Sequence, residues 1–161
     1  MLFGRIKAGA RAGPNSGDAG HAEQRQPVRA ILVVEDEPLV AFDNEHALVQ
    51  AGYRVAATVN DYDHATGVLD AGGIDLLVAD VALHGEKTGI DLARYAATCD
   101  VPVLFVTGSC PLDARELAMG CLAKPYAPRD LVSAIEAVDA LLHGRRPARI
   151  PNGLSLFPPA S

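Results

Sequence analysis

Two short runs in the chain, Ala30 to Val34 and Leu76 to Ala79, are unbroken by any polar side chain. Each is followed by a carboxylate: the first by Glu35, Asp36 and Glu37, the second by Asp80. Continuous apolar runs of this length are expected of strands covered on both faces. Gly72 and Gly73 punctuate the chain before the strand that spans Ile74 to Asp80, and Gly85 and Gly89 mark the loop after it. Tyr53 to Val59 and Val101 to Val106 read as two more strands, the latter with Pro102 near its start, and Cys121 to Ala123 as a short fifth. Between the strands the period lengthens. Pro38 suits the first turn of a helix, where its missing N–H costs nothing, and that helix runs to about Ala51 before Gly52 stops it. Its apolar stripe is smeared, with Val40, Ala47, Leu48 and Ala51 on one side and Leu39, Phe42 and Val49 on another. Asn60 or Asp61 caps a second helix through about Asp70. Thr88 or Gly89 opens a third, with Ile90, Leu92, Ala93 and Ala96 inward. Pro111 to Met119 allows two helical turns at most. Ala127 to Leu142 is the most regular helix, with Leu131, Ile135, Val138 and Leu142 along one stripe and Gly144 at its end.

Five strands alternating with five helical segments imply an α/β fold, a doubly wound parallel sheet with helices on both faces in right-handed crossovers. Residues 1–28 are rich in Gly, Ala, Arg, Pro, Ser and Asn and poor in large apolar side chains. Such a segment buries too little surface to offset its ordering entropy, so a disordered extension is expected there. The Pro- and Arg-rich stretch 145–161 is expected to be a disordered tail, leaving 29–144 as the folded domain.

Composition narrows the function. The 161 residues suffice for one domain with a proper core. A formal charge of −6 argues against a general nucleic-acid surface, and no apolar run is long enough to span a membrane. Cys99, Cys110 and Cys121 are odd in number and show no close-pair spacing, so reduced thiols in a cytoplasmic protein are expected. The scattered histidines show no zinc spacing.

The candidate chemistry lies at strand ends. Strand one ends at Glu35 and Asp36, strand three at Asp80, strand four at Thr107 and strand five at Lys124. In a parallel sheet all four sets land on the carboxyl edge, where open α/β sheets keep their ligands. Clustered carboxylates repel unless a cation joins them, and oxygen-only donors suit Mg²⁺. An ammonium offsets the remaining charge, and a hydroxyl can hydrogen-bond a bound anion. Such a set can stabilise a phosphoryl group in transfer. Taken singly, each group has a plainer reading: the acids after strand one also favour a helix N-terminus through its dipole, and His84, Glu86 and Lys87 read as solvated loop residues.

On these residues the chain resembles the receiver domains of two-component response regulators. The resemblance rests on Ile31-Leu32-Val33-Val34-Glu35-Asp36-Glu37-Pro38, on Asp80 followed by Thr88-Gly89-Ile90-Asp91-Leu92, on Phe105-Val106-Thr107-Gly108 and on Lys124-Pro125. It covers about Ala30 to His143. It implies the flavodoxin-like strand order 2-1-3-4-5. It implies that Asp80 is the phosphoacceptor, that Glu35, Asp36, Asp80 and the Ala82 backbone carbonyl hold Mg²⁺, and that Thr107 and Lys124 act on the phosphoryl group. It further implies a cis Lys124–Pro125 bond. The Phe-Val-Thr-Gly run is similar to the Phe-Ala-Thr-Gly motif of an alphaproteobacterial receiver subgroup with a reduced fourth helix, matching the short spacing from Thr107 to Lys124 here. Cys121 stands where the family's switch aromatic is usual.

The function implied is that of a single-domain response regulator. It would accept a phosphoryl group from a histidine kinase or phosphotransfer protein and signal to a downstream protein target by contact. As a phosphoacceptor that assists its own phosphorylation and dephosphorylation it would not be an enzyme in the turnover sense. A monomer or weak homodimer in the cytoplasm is expected, with no nucleic-acid or membrane partner. The alternative is a receiver-like interaction module that never needs phosphate, favoured by the missing aromatic and opposed by the intact acid, Thr and Lys set. A haloacid-dehalogenase-type phosphohydrolase would need an acid where Ala82 stands. A flavin protein would need a phosphate-cradling loop where this chain has three acids.

Overall fold

The computed structural model describes residues 26–158 of the chain. Its elements, in chain order, are β1 (Ala30–Val34), α1 (Pro38–Gln50), β2 (Arg54–Val59), α2 (Tyr62–Ala71), β3 (Leu76–Ala79), α3 (Gly89–Thr98), β4 (Val103–Thr107), α4 (Ala114–Leu117), β5 (Gly120–Ala123), α5 (Pro128–Leu142) and β6 (Leu154–Leu156). The sheet order is β2-β1-β3-β4-β5-β6. The first five strands are parallel, and β6 runs antiparallel to β5.

The central strands are buried because their side chains alternate between two cores. Leu32, Val34, Leu77, Ala79, Val103, Phe105 and Cys121 face one core, where α2 and α3 add Ala65, Leu69, Leu92, Ala93 and Ala96. Ile31, Val33, Leu76, Val78, Leu104, Val106 and Leu122 face the other, closed by Leu48 of α1 and by Leu131, Ala134, Ile135 and Val138 of α5. Each fully buried Leu, Ile or Val contributes about 1.5–3 kcal/mol relative to exposure. Two covered faces thus explain why these strands read as unbroken apolar runs. The ends of the elements follow the capping residues. Asp61 accepts the His64 N–H at 2.8 Å to start α2, and Thr88 and Asp91 form a reciprocal capping box at the start of α3. Asp75 Oδ2 accepts the N–H groups of Arg29 and Ala30 at 3.0 and 2.8 Å, which fixes where β1 enters the sheet. In α1 only Asn44 and Leu48 are buried, while Leu39, Phe42 and Val49 face outward. The smeared stripe resolves into one inward side and one exposed side.

Three expectations are corrected. The sheet has six strands rather than five, because the stretch read as a disordered tail contributes β6. Leu154 and Leu156 pack on the second core, the Ala123 N–H donates to the Gly153 carbonyl at 2.9 Å, and the Phe157 N–H donates to the Met119 carbonyl at 2.9 Å. The Arg115 guanidinium lies 5.8 Å above the Phe157 ring. Gly120 permits this pairing, since a Cβ there would stand 2.8 Å from the Ser155 carbonyl oxygen. The thiols at Cys110 and Cys121 are not free: they form a disulfide, and Cys99 alone is unpaired among the described cysteines. Spacing along the chain gives no hint of this, since the pairing depends on β5 lying beside β4. At the start, Val28 belongs to the fold. It is buried, and its N–H donates to Asp139 Oδ1 at 3.1 Å. The rest of the expected N-terminal extension, 1–25, lies outside the described residues. The fourth helix is a single turn, within the two turns at most that the sequence allows.

Truncation after Gly144 tests the contribution of β6. Losing the half-buried Leu154, Leu156 and Phe157 should cost about 2 kcal/mol, which thermal unfolding reads as a drop of ~5 °C in Tm. The uncovered β5 edge should also make the variant self-associate in light scattering. An unchanged Tm in a monodisperse sample would show that β6 contributes nothing to stability.

Candidate functional site

The parallel register puts the ends of β1, β3, β4 and β5 on one edge. Glu35 follows β1 and donates its N–H to the Val59 carbonyl at 3.0 Å, while Asp80 follows β3 and donates its N–H to the Val34 carbonyl at 3.0 Å. The backbone hydrogen-bond ladder itself therefore holds the two carboxylates. Both are buried, as is Thr107 at the end of β4. Lys124, the first residue beyond β5, donates its N–H to the Thr107 carbonyl at 2.8 Å and precedes Pro125 through a cis peptide bond.

The Lys124 ammonium is the centre of the cluster. Its Nζ lies 2.7 Å from Asp80 Oδ2, 2.8 Å from Glu35 Oε1 and 3.1 Å from Glu37 Oε1. The contacts to Asp80 and Glu37 are hydrogen bonds. The contact to Glu35 is a close ion pair without hydrogen-bond alignment, so the buried Oε1 keeps its lone pairs without a donor. Burial would lower the Lys124 pKa, but the hydrogen bonds to Asp80 and Glu37 and the close contact with the Glu35 carboxylate overcome it and hold the ammonium above its usual range. Burial raises the Glu35 pKa, reinforced by the Asp80 charge, although Lys124 and the Glu37 N–H pull it back. That N–H donates to Glu35 Oε2 at 3.1 Å, so Glu35 also anchors the entry into α1.

Acidic oxygens from Glu35, Asp36, Glu37 and Asp80 all lie within 4.8 Å of one another. This donor set is oxygen only, and one buried oxygen lacks a donor. Both properties fit a hard divalent cation such as Mg²⁺. The Ala82 N–H donates to Asp80 Oδ1 at 3.1 Å, which brings Ala82 beside the carboxylate. The loop from β3 to α3 is pinned here by Gly89. Its N–H donates to the Val81 carbonyl at 2.8 Å, and a Cβ at this position would overlap the Asp80 carbonyl and stand 2.7 Å from Val81 Cα.

Of the residues picked out in the sequence, Glu35, Asp36, Asp80 and Lys124 come together directly. Thr107 shares their edge, with its Oγ1 turned to the Ser109 N–H at 3.5 Å, the outer limit of a hydrogen bond. Three participants were not assigned to the site: Glu37 was named only as one of three acids after strand one, His84 was read as a solvated loop residue, and Asn44 was not named. Glu37 joins both the acidic cluster and the Lys124 ion pair. His84 is exposed as a loop residue should be, yet its Nδ1 lies 2.9 Å from Asp36 Oδ2. Asn44 is buried in α1, and its Oδ1 accepts from the Tyr126 hydroxyl at 2.9 Å. Burial, offset in part by that hydrogen bond and reinforced by Glu35, pushes the Tyr126 phenol up to about 12 and keeps it a donor. The interruption of an apolar helix face by Asn44 was a visible signal. Its partner on α5's approach was not.

Comparison with known proteins gives a consistent picture. Residues 31–136 match the family described as the response regulator receiver domain. The chain is 31% identical over 114 residues to the transcriptional regulatory protein PdtaR of Mycobacterium tuberculosis, covering 67% of this chain and 55% of that protein. It is 35% identical over 119 residues to the phosphate regulon transcriptional regulatory protein PhoB of Escherichia coli, covering 68% of this chain and 51% of that protein. The chain thus spans about half the length of these curated relatives. Among solved structures, a CheY-like receiver domain protein from Methanospirillum hungatei superposes with a TM-score of 0.66 at 21% identity, covering 73% of this chain and 98% of that one.

Two substitutions probe the site. Lys124→Met should destabilise the protein by about 3 kcal/mol in denaturant unfolding with a chelator present, because it strands buried carboxylates without their cation. Adding Glu35→Gln in the Lys124→Met background should recover at least about 1 kcal/mol, a coupling that a double-mutant cycle reads directly. Strictly additive losses would mean that the ammonium and Glu35 do not interact. Gly89→Ala should cost about 1–3 kcal/mol through backbone overlap, and a wild-type unfolding midpoint would contradict the close approach.

Proposed function

The chain belongs to the response regulator receiver domain family of two-component signal transduction, and from that premise we propose that it accepts a phosphoryl group on Asp80 from a histidine kinase or a phosphotransfer protein and passes the signal on by protein contact. The observation that carries this reading is the half-buried ammonium of Lys124 at 2.7 Å from Asp80 Oδ2 within a ring of carboxylates. A surface lysine pairing with scattered acids would not be held by three carboxylates at the end of a buried strand.

In the proposed reaction an Asp80 carboxylate oxygen attacks the phosphorus of a phosphohistidine. The P–N bond breaks as the new P–O bond forms, and its electron pair returns to the imidazole nitrogen, which takes up a proton. The Ala82 N–H and Lys124 hold the carboxylate oriented before attack, at 3.1 and 2.7 Å from its two oxygens. Glu35, Asp36 and Asp80, with the Ala82 carbonyl, would hold Mg²⁺, and Glu37 lies close enough to contribute. The ion supplies positive charge for the phosphoryl oxygens. Lys124 is released from part of its carboxylate ring as charge moves onto the phosphoryl group, and it follows that charge as a counter-ion. Thr107, with only a marginal contact to the Ser109 N–H, has a hydroxyl free to donate to a phosphoryl oxygen.

A second reading, a contact module that works without phosphate, draws on Cys121. It occupies the position of the usual switch aromatic and is covalently tied to Cys110. The cytoplasm is the compartment in which the proposed phosphotransfer partners would be met. Among the described residues, no helix is long and apolar enough to cross a membrane.

The same experiment separates the two readings. Incubation with acetyl phosphate and Mg²⁺ should add one phosphoryl group to the wild-type protein by intact mass. Asp80→Asn, nearly isosteric and one charge lighter, should show none while keeping its fold by circular dichroism. Phosphate on the variant at the wild-type level would remove Asp80 as acceptor, and none on the wild type would favour the module. Asp36→Ala should weaken Mg²⁺ binding at least about tenfold in calorimetric titration. An unchanged titration would take Asp36 out of the metal site.

A further inference from the structure

The Cys110–Cys121 disulfide joins residues 11 positions apart in the chain, with Cα atoms 6.2 Å apart. Its two halves sit in different surroundings. Cys121 is fully buried in β5, whereas Cys110 is partly exposed in the irregular stretch between β4 and α4. Cys110 comes three residues after Thr107, and Cys121 comes three before Lys124. The closed loop is therefore anchored close to two of the groups on the sheet edge that carries Asp80. Besides the backbone bonds of Met119 to Val103 and Phe157 and the Arg115–Phe157 contact, large buried side chains are few inside the loop. Ala114 and Ala118 are buried but small, Leu117 and Met119 are only half-buried, one against each core, and Leu112 is fully exposed. Helix α4 is one turn long.

We propose that Cys110–Cys121 is a thiol–disulfide exchange site for a dithiol reductant, and that its oxidation state sets how firmly the segment between β4 and β5 is held. A thiolate of the reductant attacks the accessible Cys110 sulfur. The S–S bond breaks, and Cys121 leaves as a thiolate that takes up a proton, since its apolar surroundings favour the neutral thiol. The second thiol of the reductant then attacks the mixed disulfide and releases Cys110. Two electrons pass to the cysteine pair, and the reductant is left as its own disulfide. A bond closing a loop of this size can restrict the opened chain by roughly a hundredfold in the chain-entropy account. With few apolar contacts to replace it, the loss on reduction falls on this segment rather than on the sheet. The inference goes beyond phosphotransfer and does not depend on it.

The test uses the full chain purified without reductant. Denaturation in iodoacetamide should give one adduct, on Cys99. After treatment of the native protein with dithiothreitol, the same quench should give three. Hydrogen exchange over residues 109–119 should then run more than tenfold faster, with peptides from β1 and β3 unchanged, and Cys110→Ser should match the reduced protein. Three adducts before any reductant would mean that the bond does not form. A bond that yields to dithiothreitol only after denaturation is a structural staple and not an exchange site. Exchange within twofold of the oxidised protein would remove any effect on the segment. Fast exchange throughout the sheet, or a Cys110→Ser chain that does not fold, would make the disulfide a support of the whole domain and overturn the proposal.

Discussion

A single ammonium holds together a cluster of carboxylates that would otherwise repel one another. At an effective dielectric of about 20, unit charges about 4 Å apart interact by about 4 kcal/mol. Glu35, Asp36, Glu37 and Asp80 crowd within less than 5 Å, a separation at which that repulsion matters. Lys124 meets three of them and cannot neutralise all four. Burial is the main reason the Glu35 pKa is raised, and the charge left on Asp80 adds to it. A divalent cation would offset this imbalance of charge, and under the proposed phosphotransfer it would also meet the charge of the phosphoryl oxygens.

The carboxylates could not be assembled this way without the parallel sheet. A strand covered on both faces has no freedom to slide, because a one-residue slip would move its side chains to the wrong core. Val34 and Ala79 are partners across β1 and β3, so Glu35 and Asp80, the next residue of each, emerge side by side. Gly89 then lets the start of α3 pass against the Asp80–Val81 backbone. Packing at the core thus fixes the geometry of a site that is itself built from charges.

Strand β5 carries an unusual number of constraints for four residues. It pairs with β4 on one side and with β6 on the other, is tied to Cys110 by a covalent bond, and delivers Lys124 to the site. An edge strand left open invites pairing with other chains, and β6 closes this one. Arg115 over Phe157 links that cover to α4, so the short helix, the added strand and the disulfide form one connected surface beside the site. Any partner that reads this surface meets β6 before it meets β5.

The sequence alone determined the five-stranded parallel core, its helices and the four strand-end groups Glu35, Asp36, Asp80 and Lys124. Those features are written in local terms: unbroken apolar runs, capping residues and acids placed just past a strand. Leu76 to Ala79 could be read as a buried strand because every residue in it is apolar, and α3 could be placed from Thr88 because its cap is adjacent in the chain. What tertiary structure decided is whatever needs a distant partner. The three residues Leu154 to Leu156 alternate apolar and polar but form too short a run among prolines to read as a strand, and become β6 only because β5 offers an unpaired row of hydrogen-bonding groups. The cysteines became a disulfide because β5, parallel to β4, brings Cys121 within reach of Cys110, a juxtaposition that the ten intervening residues do not encode. Glu37 read as one acid of three before a helix and Asn44 as a polar break in its apolar face, and their roles were fixed only when Lys124 and Tyr126, more than eighty positions away in the chain, arrived against them. Hydrophobic periodicity reports which face a residue turns inward, and only the packed chain fixes which polar group it meets there.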